Sequence, residues 1–409
     1  MSTENELVEV FLVPGFLGFE SLGGLDYFID VEDLVKQKLS APGITVNVYP
    51  TEPKPAASLY RRAARLAEEV ADHHSMDATS VHFVGHSTGG LDIRLLLSPE
   101  NAVERELKKK AGGDERARSV LDAIQKTRSA TSVATPHFGS PIASLALRLD
   151  ADLIVRRLSK ALERPGLSVF LAKVLDLAGL ATSLFSGLPR GESFYDWITG
   201  DVLSGPPEKI VEYVQHVAAD TGALRNLTQE GADLANALLI DRPEVRYGSI
   251  ITGTPKPGWF VKTDDPLLLL NTAIYGRVWR IVAKENPNYP YSPLSQDISR
   301  IHADDFESGY DVGKLQIDED TSDGVVPTAS QAYGTILGVF ASDHLDCVGH
   351  FPHRRSDGKQ VTGWVRSGAA FNGDRFELLW ARVCDFIAAR QEVRSAPHQT
   401  AMPASARKL

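Results

Sequence analysis

Residues 85–90 read Gly85-His86-Ser87-Thr88-Gly89-Gly90, which fits the pattern G-x-S-x-G. It follows the apolar run 81–84 and precedes the helix-like run 91–97, so we predict a strand, a sharp turn and a helix. Glycines two positions before and after the serine let crowded backbone segments pass closely. The turn exposes the serine hydroxyl at a helix N-terminus, which favours developing negative charge. We therefore predict that Ser87 is a nucleophile.

Strand-like segments recur on both sides of this turn. Short apolar or β-branched runs predict further strands at 7–13, 45–49, 131–135 and 245–252. Apolar side chains recur at helical spacing over residues 59–70, which predicts a helix that faces the core. Residues 97–127 are charged and helical in character, so we interpret them as an insertion on the periphery. Strands that alternate with helices imply right-handed crossovers. We therefore predict the α/β-hydrolase fold, with a mostly parallel central sheet flanked by helices.

A serine hydroxyl needs a base and an orienting carboxylate, which follow the nucleophile along the chain in this fold. Asp323 lies on the turn-like segment 322–327, and His344 comes shortly downstream in Asp-His-Leu-Asp. We predict that Asp323 fixes the tautomer of His344 so that its Nε2 accepts the proton of Ser87. His350 is the rival base.

The other histidines near these motifs receive different interpretations. We expect His86 and His137 to lie behind the reacting groups, and His73 and His74 to end an exposed helix without a special role. For the oxyanion hole, Thr88 follows the nucleophile and supplies one N–H. Phe16 supplies the second, because the turn after the first strand leaves its N–H pointed at the site.

Composition excludes several classes of protein. The chain has 409 residues, 43% of them apolar, and a net charge of −10, which is unsuited to nucleic-acid binding. Residues 108–110 are lysines among acidic residues, so we interpret them as a solvated helix face. No apolar stretch is long enough to span a membrane. Two cysteines, Cys347 and Cys384, exclude a disulfide framework but leave one bridge open.

We predict one catalytic domain over 1–391 and a flexible tail over 392–409. Residues 145–205 carry a broad apolar stripe with few charges, which suits a helical cap or lid, although an ordinary core helix fits the same periodicity. The N-terminus has no basic and apolar leader, so we expect a cytoplasmic protein, or a secreted one if a leader was removed or export is leaderless.

Five segments resemble the bacterial true lipases, the triacylglycerol lipases typified by Pseudomonas and Burkholderia enzymes. They are VPGFLGFESLGGLDYF at 13–28, GHSTGGLDIRL at 85–95, SVATPHFGS at 132–140, 224–227 with the following EGADLAN, and 322–351. They lie in the family's order from end to end of the chain. Pro14-Gly15 stands where the family has His-Gly, and the cap segment does not match the family residue by residue.

The resemblance implies Ser87 as nucleophile, Asp323 as acid and His344 as base, with Phe16 and Thr88 as oxyanion donors. It also implies a structural calcium ion near the histidine loop. Asp346 matches a family calcium ligand, and Asp304 or Asp305 is the nearest candidate for the second acidic ligand. A hard cation bound between two loops would fix where the base points.

These residues predict an esterase or lipase that acts on lipid-like carboxylic esters, in some cases at a lipid–water interface. An acyltransferase or a polyester depolymerase would use the same three residues, because water and alcohols accept the acyl group through the same groups. A hydrolase-fold protein that binds a ligand without turnover is the alternative from another class. No cofactor is needed for the chemistry.

Overall fold

The structure is a computed structural model that describes residues 6–16, 21–22, 25–54, 57–148, 222–257, 266–285, 317, 320–361, 363 and 365–389. Most of the predicted cap, the predicted tail, Asp304 and Asp305 lie outside the described residues. Among the described helices, none combines the length and hydropathy needed to cross a membrane.

The described strands and helices follow one another in an alternating order. The strands are β1 Glu6–Val13, β2 Ser21–Leu22, β3 Leu25–Asp26, β4 Ile44–Pro50, β5 Ser80–His86, β6 Thr127–Val133, β7 Arg246–Gly253, β8 Thr335–Ala341, β9 His353–Arg354 and β10 Gln360–Val361. The helices are α1 Val31–Leu39, α2 Leu59–His73, α3 Gly89–Leu97, α4 Ala102–Lys110, α5 Glu115–Lys126, α6 Pro141–Arg148, α7 Gly222–Asn226, α8 Gln229–Leu238, α9 Pro266–Glu285 and α10 Gly373–Ala388.

Six described strands form one parallel sheet in the order β4-β1-β5-β6-β7-β8. The predicted strands and the first predicted helix are present, and the fold is the α/β-hydrolase fold. The prediction at 131–135 began too late, because β6 already pairs with β5 at Thr127. Since all six strands are parallel, their carboxyl ends lie along one edge, where loops gather.

Alternation along β1 divides the core into two layers. Val10 and Leu12 pack on one face of the sheet with α1 and α10, while Phe11 and Val13 pack on the other with α2, α3 and α5. Successive strand residues point to opposite faces, so a strand covered on both sides is apolar throughout. Helices therefore cover both faces of the sheet.

The prediction that residues 97–127 form a peripheral insertion is wrong for the second half of this segment. Helix α5 buries Val120, Ala123 and Ile124 against the sheet. Together with α3 and α4 it forms the connection from β5 to β6. Its charged residues lie on the solvent side of an amphipathic helix, which hides its role in the core. The lysines of α4 are exposed and pair with neighbouring glutamates, as predicted.

The expectation that His74 has no special role is also wrong. Its buried imidazole contacts Glu9 through Nδ1 at 2.7 Å and Asp122 through Nε2 at 2.9 Å. Burial lowers the pKa of His74, but the two carboxylates outweigh burial and raise it above its usual 6.5. The ring therefore joins β1 to α5.

The raised pKa predicts a pH dependence of stability at His74. The folded state holds the proton of His74 more tightly than the unfolded chain does. The contribution of His74 to the free energy of unfolding is therefore complete below pH 6.5 and is lost as pH rises through the raised pKa. The free energy of unfolding of the wild type should therefore fall over this window, as measured by denaturant titration. His74→Gln should lose this slope, whereas exposed His73→Gln should keep it. Equal slopes in wild type and His74→Gln would contradict the assignment.

Candidate active site

Ser87 lies on a strained turn between β5 and α3. Its φ of 54° falls in the left-handed region, which costs a non-glycine residue about 1 kcal/mol or more. The backbone N–H of Ser87 donates to the carbonyl of Val133 at 2.9 Å, which ties the turn to the end of β6. The serine side chain is thereby held at the carboxyl edge of the sheet.

The glycines around Ser87 are required by close packing. A Cβ at Gly85 would overlap the backbone of Gly89 and Gly90, and one at Gly89 would overlap the carbonyl of Val13. The helix that starts at Gly89 can therefore lie directly on the ends of β1 and β5. This close approach is the physical reason for the G-x-S-x-G pattern.

The structure brings together the three residues predicted to react as a unit. His344 Nε2 lies 3.0 Å from Ser87 Oγ, and His344 Nδ1 lies 2.8 Å from Asp323 Oδ2. Because a carboxylate only accepts hydrogen bonds, Nδ1–H donates to Asp323 and Nε2 is free to accept from the serine hydroxyl. All three side chains are buried.

Asp323 is held by donors on both of its oxygens. Oδ1 accepts the N–H groups of Val325 at 2.9 Å and Val326 at 2.7 Å. Oδ2 accepts from Thr252 Oγ1 at 2.9 Å and Gln331 Nε2 at 3.2 Å, besides the imidazole. These donors leave the carboxylate one orientation, with Oδ2 facing His344.

Helix α9 supports the turn that carries Asp323. The Tyr275 hydroxyl lies 3.2 Å from the carbonyl of Asp323, and Trp279 Nε1 donates to the carbonyl of Ser322 at 3.2 Å. Gly324, with φ of 96°, packs so closely on Tyr275 that a Cβ would overlap the ring. The predicted Asp-Gly turn is therefore both a turn and the support of the carboxylate.

His86 lies directly behind Ser87 and His344, the position that the sequence predicts for it. Its Nε2 must donate to the carbonyl of His344 at 2.8 Å, because a carbonyl only accepts, so Nδ1 accepts from Tyr27 at 2.7 Å. The Tyr27 oxygen in turn accepts the N–H of Gly15 at 2.9 Å. Burial and His344 keep the pKa of His86 well below 6.5, so the ring is neutral and this proton arrangement is fixed.

The two predicted oxyanion donors flank Ser87. Thr88 is buried and precedes the first residue of α3, and Phe16 follows Gly15 in the turn after β1. A Cβ at Gly15 would lie 2.9 Å from Ser87 Oγ, so this turn is in contact with the serine. Among the described residues, no protein group accepts from the backbone N–H of Thr88 or of Phe16.

The rival base and the second predicted supporting histidine lie elsewhere. The His350 ring hydrogen-bonds through Nε2 to the carbonyl of Tyr27 at 3.0 Å, away from the serine hydroxyl. His137 contacts Ser132 through Nε2 at 3.0 Å and Arg94 through Nδ1 at 3.3 Å. Neither ring contacts Ser87.

Asp346 is buried beside a second carboxylate, Asp343. The N–H of Asp346 donates to Asp343 Oδ1 at 3.0 Å, and the N–H of Asp343 donates to Asp346 Oδ2 at 3.3 Å. Burial, and then the charge of Asp343, raises the pKa of Asp346 well above its usual 3.8. Within the described ranges, no group of three or more His, Cys, Asp or Glu residues is placed to hold a metal ion.

Several residues that hold the site together carry no recognisable signal in the sequence. Thr252 and Tyr275 contact Asp323 from distant parts of the chain, Gln331 contacts it from eight residues away, and Tyr27 contacts Gly15. Short polar motifs do not mark them, because their roles arise from tertiary contacts between a strand, a helix and loops. The two cysteines are both buried and free.

No protein-family model matches this chain, and no curated protein matches it by sequence. Solved structures similar to it include the metagenomic carboxyl esterase MGS0156, at 17% identity over 95% of this chain and 77% of that one, with a TM-score of 0.47. EstA from Clostridium botulinum is 20% identical over 94% of this chain and 87% of its own, with a TM-score of 0.46. Lipase 1 from Pelosinus fermentans is 17% identical over 94% of this chain and 99% of its own, with a TM-score of 0.49.

Proposed function

We propose that this chain is a serine esterase or lipase that hydrolyses carboxylic esters of lipid-like substrates. One observation carries the proposal, namely the continuous hydrogen-bonded chain from Ser87 through His344 to Asp323. A buried hydroxyl, imidazole and carboxylate in this order are the arrangement that turns a weak nucleophile into a strong one.

In the first half of the proposed reaction, Ser87 Oγ attacks the ester carbonyl and His344 Nε2 takes the hydroxyl proton. Asp323 stabilises the imidazolium that forms. The N–H groups of Phe16 and Thr88 hold the negative oxygen of the tetrahedral intermediate. When the intermediate collapses, His344 gives the proton to the leaving alcohol and an acyl-serine remains.

In the second half, water attacks the acyl-serine. His344 takes one proton from this water and returns it to Ser87 Oγ as the carboxylic acid leaves. The overall reaction consumes one water and one ester and releases one acid and one alcohol. Another alcohol in place of water would give acyl transfer by the same steps.

The lipid-like nature of the substrate is supported by composition. The apolar stripe within 145–205 would line an acyl groove, and if this segment moves as a lid, lipid–water interfaces should activate the enzyme. This segment lies almost entirely outside the described residues. The resemblance to true lipases supports the same substrate class.

We also propose that a structural calcium ion lies at the loop that carries His344, as the resemblance implies. The buried carboxylates of Asp343 and Asp346 suit a hard cation, which takes six to eight oxygen ligands. Asp304 or Asp305 would supply a further carboxylate. Calcium bound there would hold the loop and would take part in no chemical step.

The first prediction concerns the nucleophile. Ser87→Ala should lower kcat for p-nitrophenyl esters by about 10⁴-fold or more, because no other group forms the acyl intermediate. Ser40→Ala, on an exposed helix end, should keep wild-type activity. Esters of graded chain length measure both the rates and the acyl preference, and faster turnover of long chains would support a lipase over a plain esterase.

Activity retained in Ser87→Ala would contradict the assignment of the nucleophile. A wild type that neither hydrolyses esters nor reacts with a fluorophosphonate at Ser87 would favour a binding protein. Ester products that appear when an alcohol is added, in place of free acid, would favour an acyltransferase.

The second prediction concerns Asp323. Asp323→Asn should lower kcat by up to about 10⁴-fold, because an amide N–H facing Nδ1 selects the wrong imidazole tautomer. Exposed Asp320→Asn is the matched control and should retain activity. Steady-state kinetics with a short-chain ester is the measurement, and normal kcat in Asp323→Asn would exclude Asp323 as the orienting acid.

The third prediction concerns calcium. Chelation with EGTA should lower the thermal midpoint of unfolding by several degrees, because a ligand that binds only the folded state stabilises it, and added calcium should restore the midpoint. Asp346→Asn should remove the response to calcium. A midpoint that does not respond to chelator or calcium in the wild type would contradict the calcium site.

A further inference from the structure

A fully buried ion pair joins two helices next to the candidate active site. Arg62 in α2 contacts Asp92 in α3, with Nε at 2.9 and 3.1 Å from the two carboxylate oxygens and Nη2 at 2.7 Å. Both side chains are at most 1% exposed. Burying two charges costs desolvation energy that their attraction often fails to offset, so stability alone is a weak reason for such a pair.

The two Nη groups of Arg62 also reach the backbone of the loops above, and Nη2 shares its two hydrogens among Asp92 and two carbonyl groups. Nη2 donates to the carbonyl of Pro14 at 2.8 Å and to that of Gly15 at 3.2 Å, and Nη1 donates to the carbonyl of Lys54 at 2.9 Å. The planar guanidinium is suited to this task, because its donors point in several fixed directions at once.

The contact between Arg62 and the carbonyl of Gly15 also sets the direction of the Phe16 N–H, because both groups belong to one peptide. The carbonyl of Gly15 and the N–H of Phe16 belong to one planar peptide, and in a trans peptide they point in opposite directions. A carbonyl that is held toward Arg62 therefore turns the Phe16 N–H away from Arg62. The same turn lies against Ser87.

The preceding peptide is fixed on both of its sides. Its carbonyl, on Pro14, accepts from Arg62, and its N–H, on Gly15, donates to the Tyr27 hydroxyl at 2.9 Å. Two consecutive peptide planes thus have their orientations set by side chains from elsewhere in the chain. Within the described residues, the Phe16 N–H is the one polar group of these two planes without a protein partner.

We propose that Arg62 is a positioning residue for catalysis, which aims the N–H of Phe16 at the oxyanion through the carbonyl of Gly15. This inference rests on the proposed function. An oxyanion donor is effective only when its direction is set before charge develops, since it then needs no reorganisation during the reaction.

Asp92 supplies the charge that keeps Arg62 in place. Burial raises the pKa of Asp92 to about 6, against the opposing attraction of Arg62, so Asp92 is ionised above that pH. Asp92 lies one turn into the helix that starts behind Ser87. The ion pair therefore links the nucleophile turn to the oxyanion turn, so the two keep a fixed relation.

Arg62→Lys tests the proposal, because lysine keeps the charge beside Asp92 but its single ammonium cannot reach both carbonyls in the same geometry. We expect kcat for a short-chain ester to fall roughly 10- to 100-fold with KM changed by less than about 3-fold, as for partial loss of one oxyanion donor. The Ki of a trifluoromethyl ketone, which adds to Ser87 and forms an oxyanion, should rise by the same factor as kcat/KM falls.

Arg242→Lys is the matched control, because Arg242 forms a largely buried pair with Glu104 at 2.5 Å. It should leave kcat and the ketone Ki unchanged. Asp92→Asn, which keeps the size of the side chain, should reproduce the kinetic pattern of Arg62→Lys in milder form. Thermal unfolding of each variant shows whether it is folded at the assay temperature.

The inference is overturned if folded Arg62→Lys and Asp92→Asn both keep wild-type kcat, or if kcat falls while the ketone Ki stays constant. Either result leaves the proposed function standing, provided that wild-type hydrolysis depends on Ser87. A wild type without Ser87-dependent hydrolysis overturns the proposed function itself, so the two failures are distinguishable.

Discussion

The rest of the site depends on one backbone constraint, the left-handed conformation of Ser87. A side chain in this conformation is strained, and the strain persists only where the surroundings hold it. Here the N–H of Ser87 is tied to β6 and the following helix is pressed onto β1 across Gly89. The serine is consequently placed above the sheet with its hydroxyl presented at a helix N-terminus, where negative charge is stabilised.

The parallel sheet makes it possible for distant residues to meet this serine. β1, β5 and β8 end at the same edge of the sheet, so the turns after them bring Gly15, Ser87 and His344 together. Asp323 reaches the same edge because Ser322 pairs with Thr254, just beyond the end of β7. Side chains rooted in rigid strands, such as Thr252, then fix each reacting group in direction as well as position.

The sequence is informative where a local backbone geometry demands particular residues. The turn at Ser87 needs glycines at fixed spacing, so this turn and the strand and helix on either side of it could be predicted. Asp323 and His344 could be proposed because their order along the chain follows the fold. The network around them could not be predicted, since Arg62 and Tyr27 act on Gly15 from 47 and 12 residues away through contacts that only packing creates. For the same reason, the burial of His74 between two carboxylates left no sequence pattern.

If Ser87 is the nucleophile, it becomes covalently acylated during turnover, and the acyl-enzyme can be trapped. The wild type would be mixed with an ester whose acyl-serine intermediate is hydrolysed slowly, and the reaction would be quenched in acid within the first turnovers. The protein would then be digested, and the peptide that carries Ser87 would be analysed by mass spectrometry. This peptide should gain the mass of the acyl group minus one hydrogen, and Asp323→Asn should form the adduct much more slowly. An enzyme that releases acid without any adduct on Ser87, or with the adduct on another residue, would contradict the account.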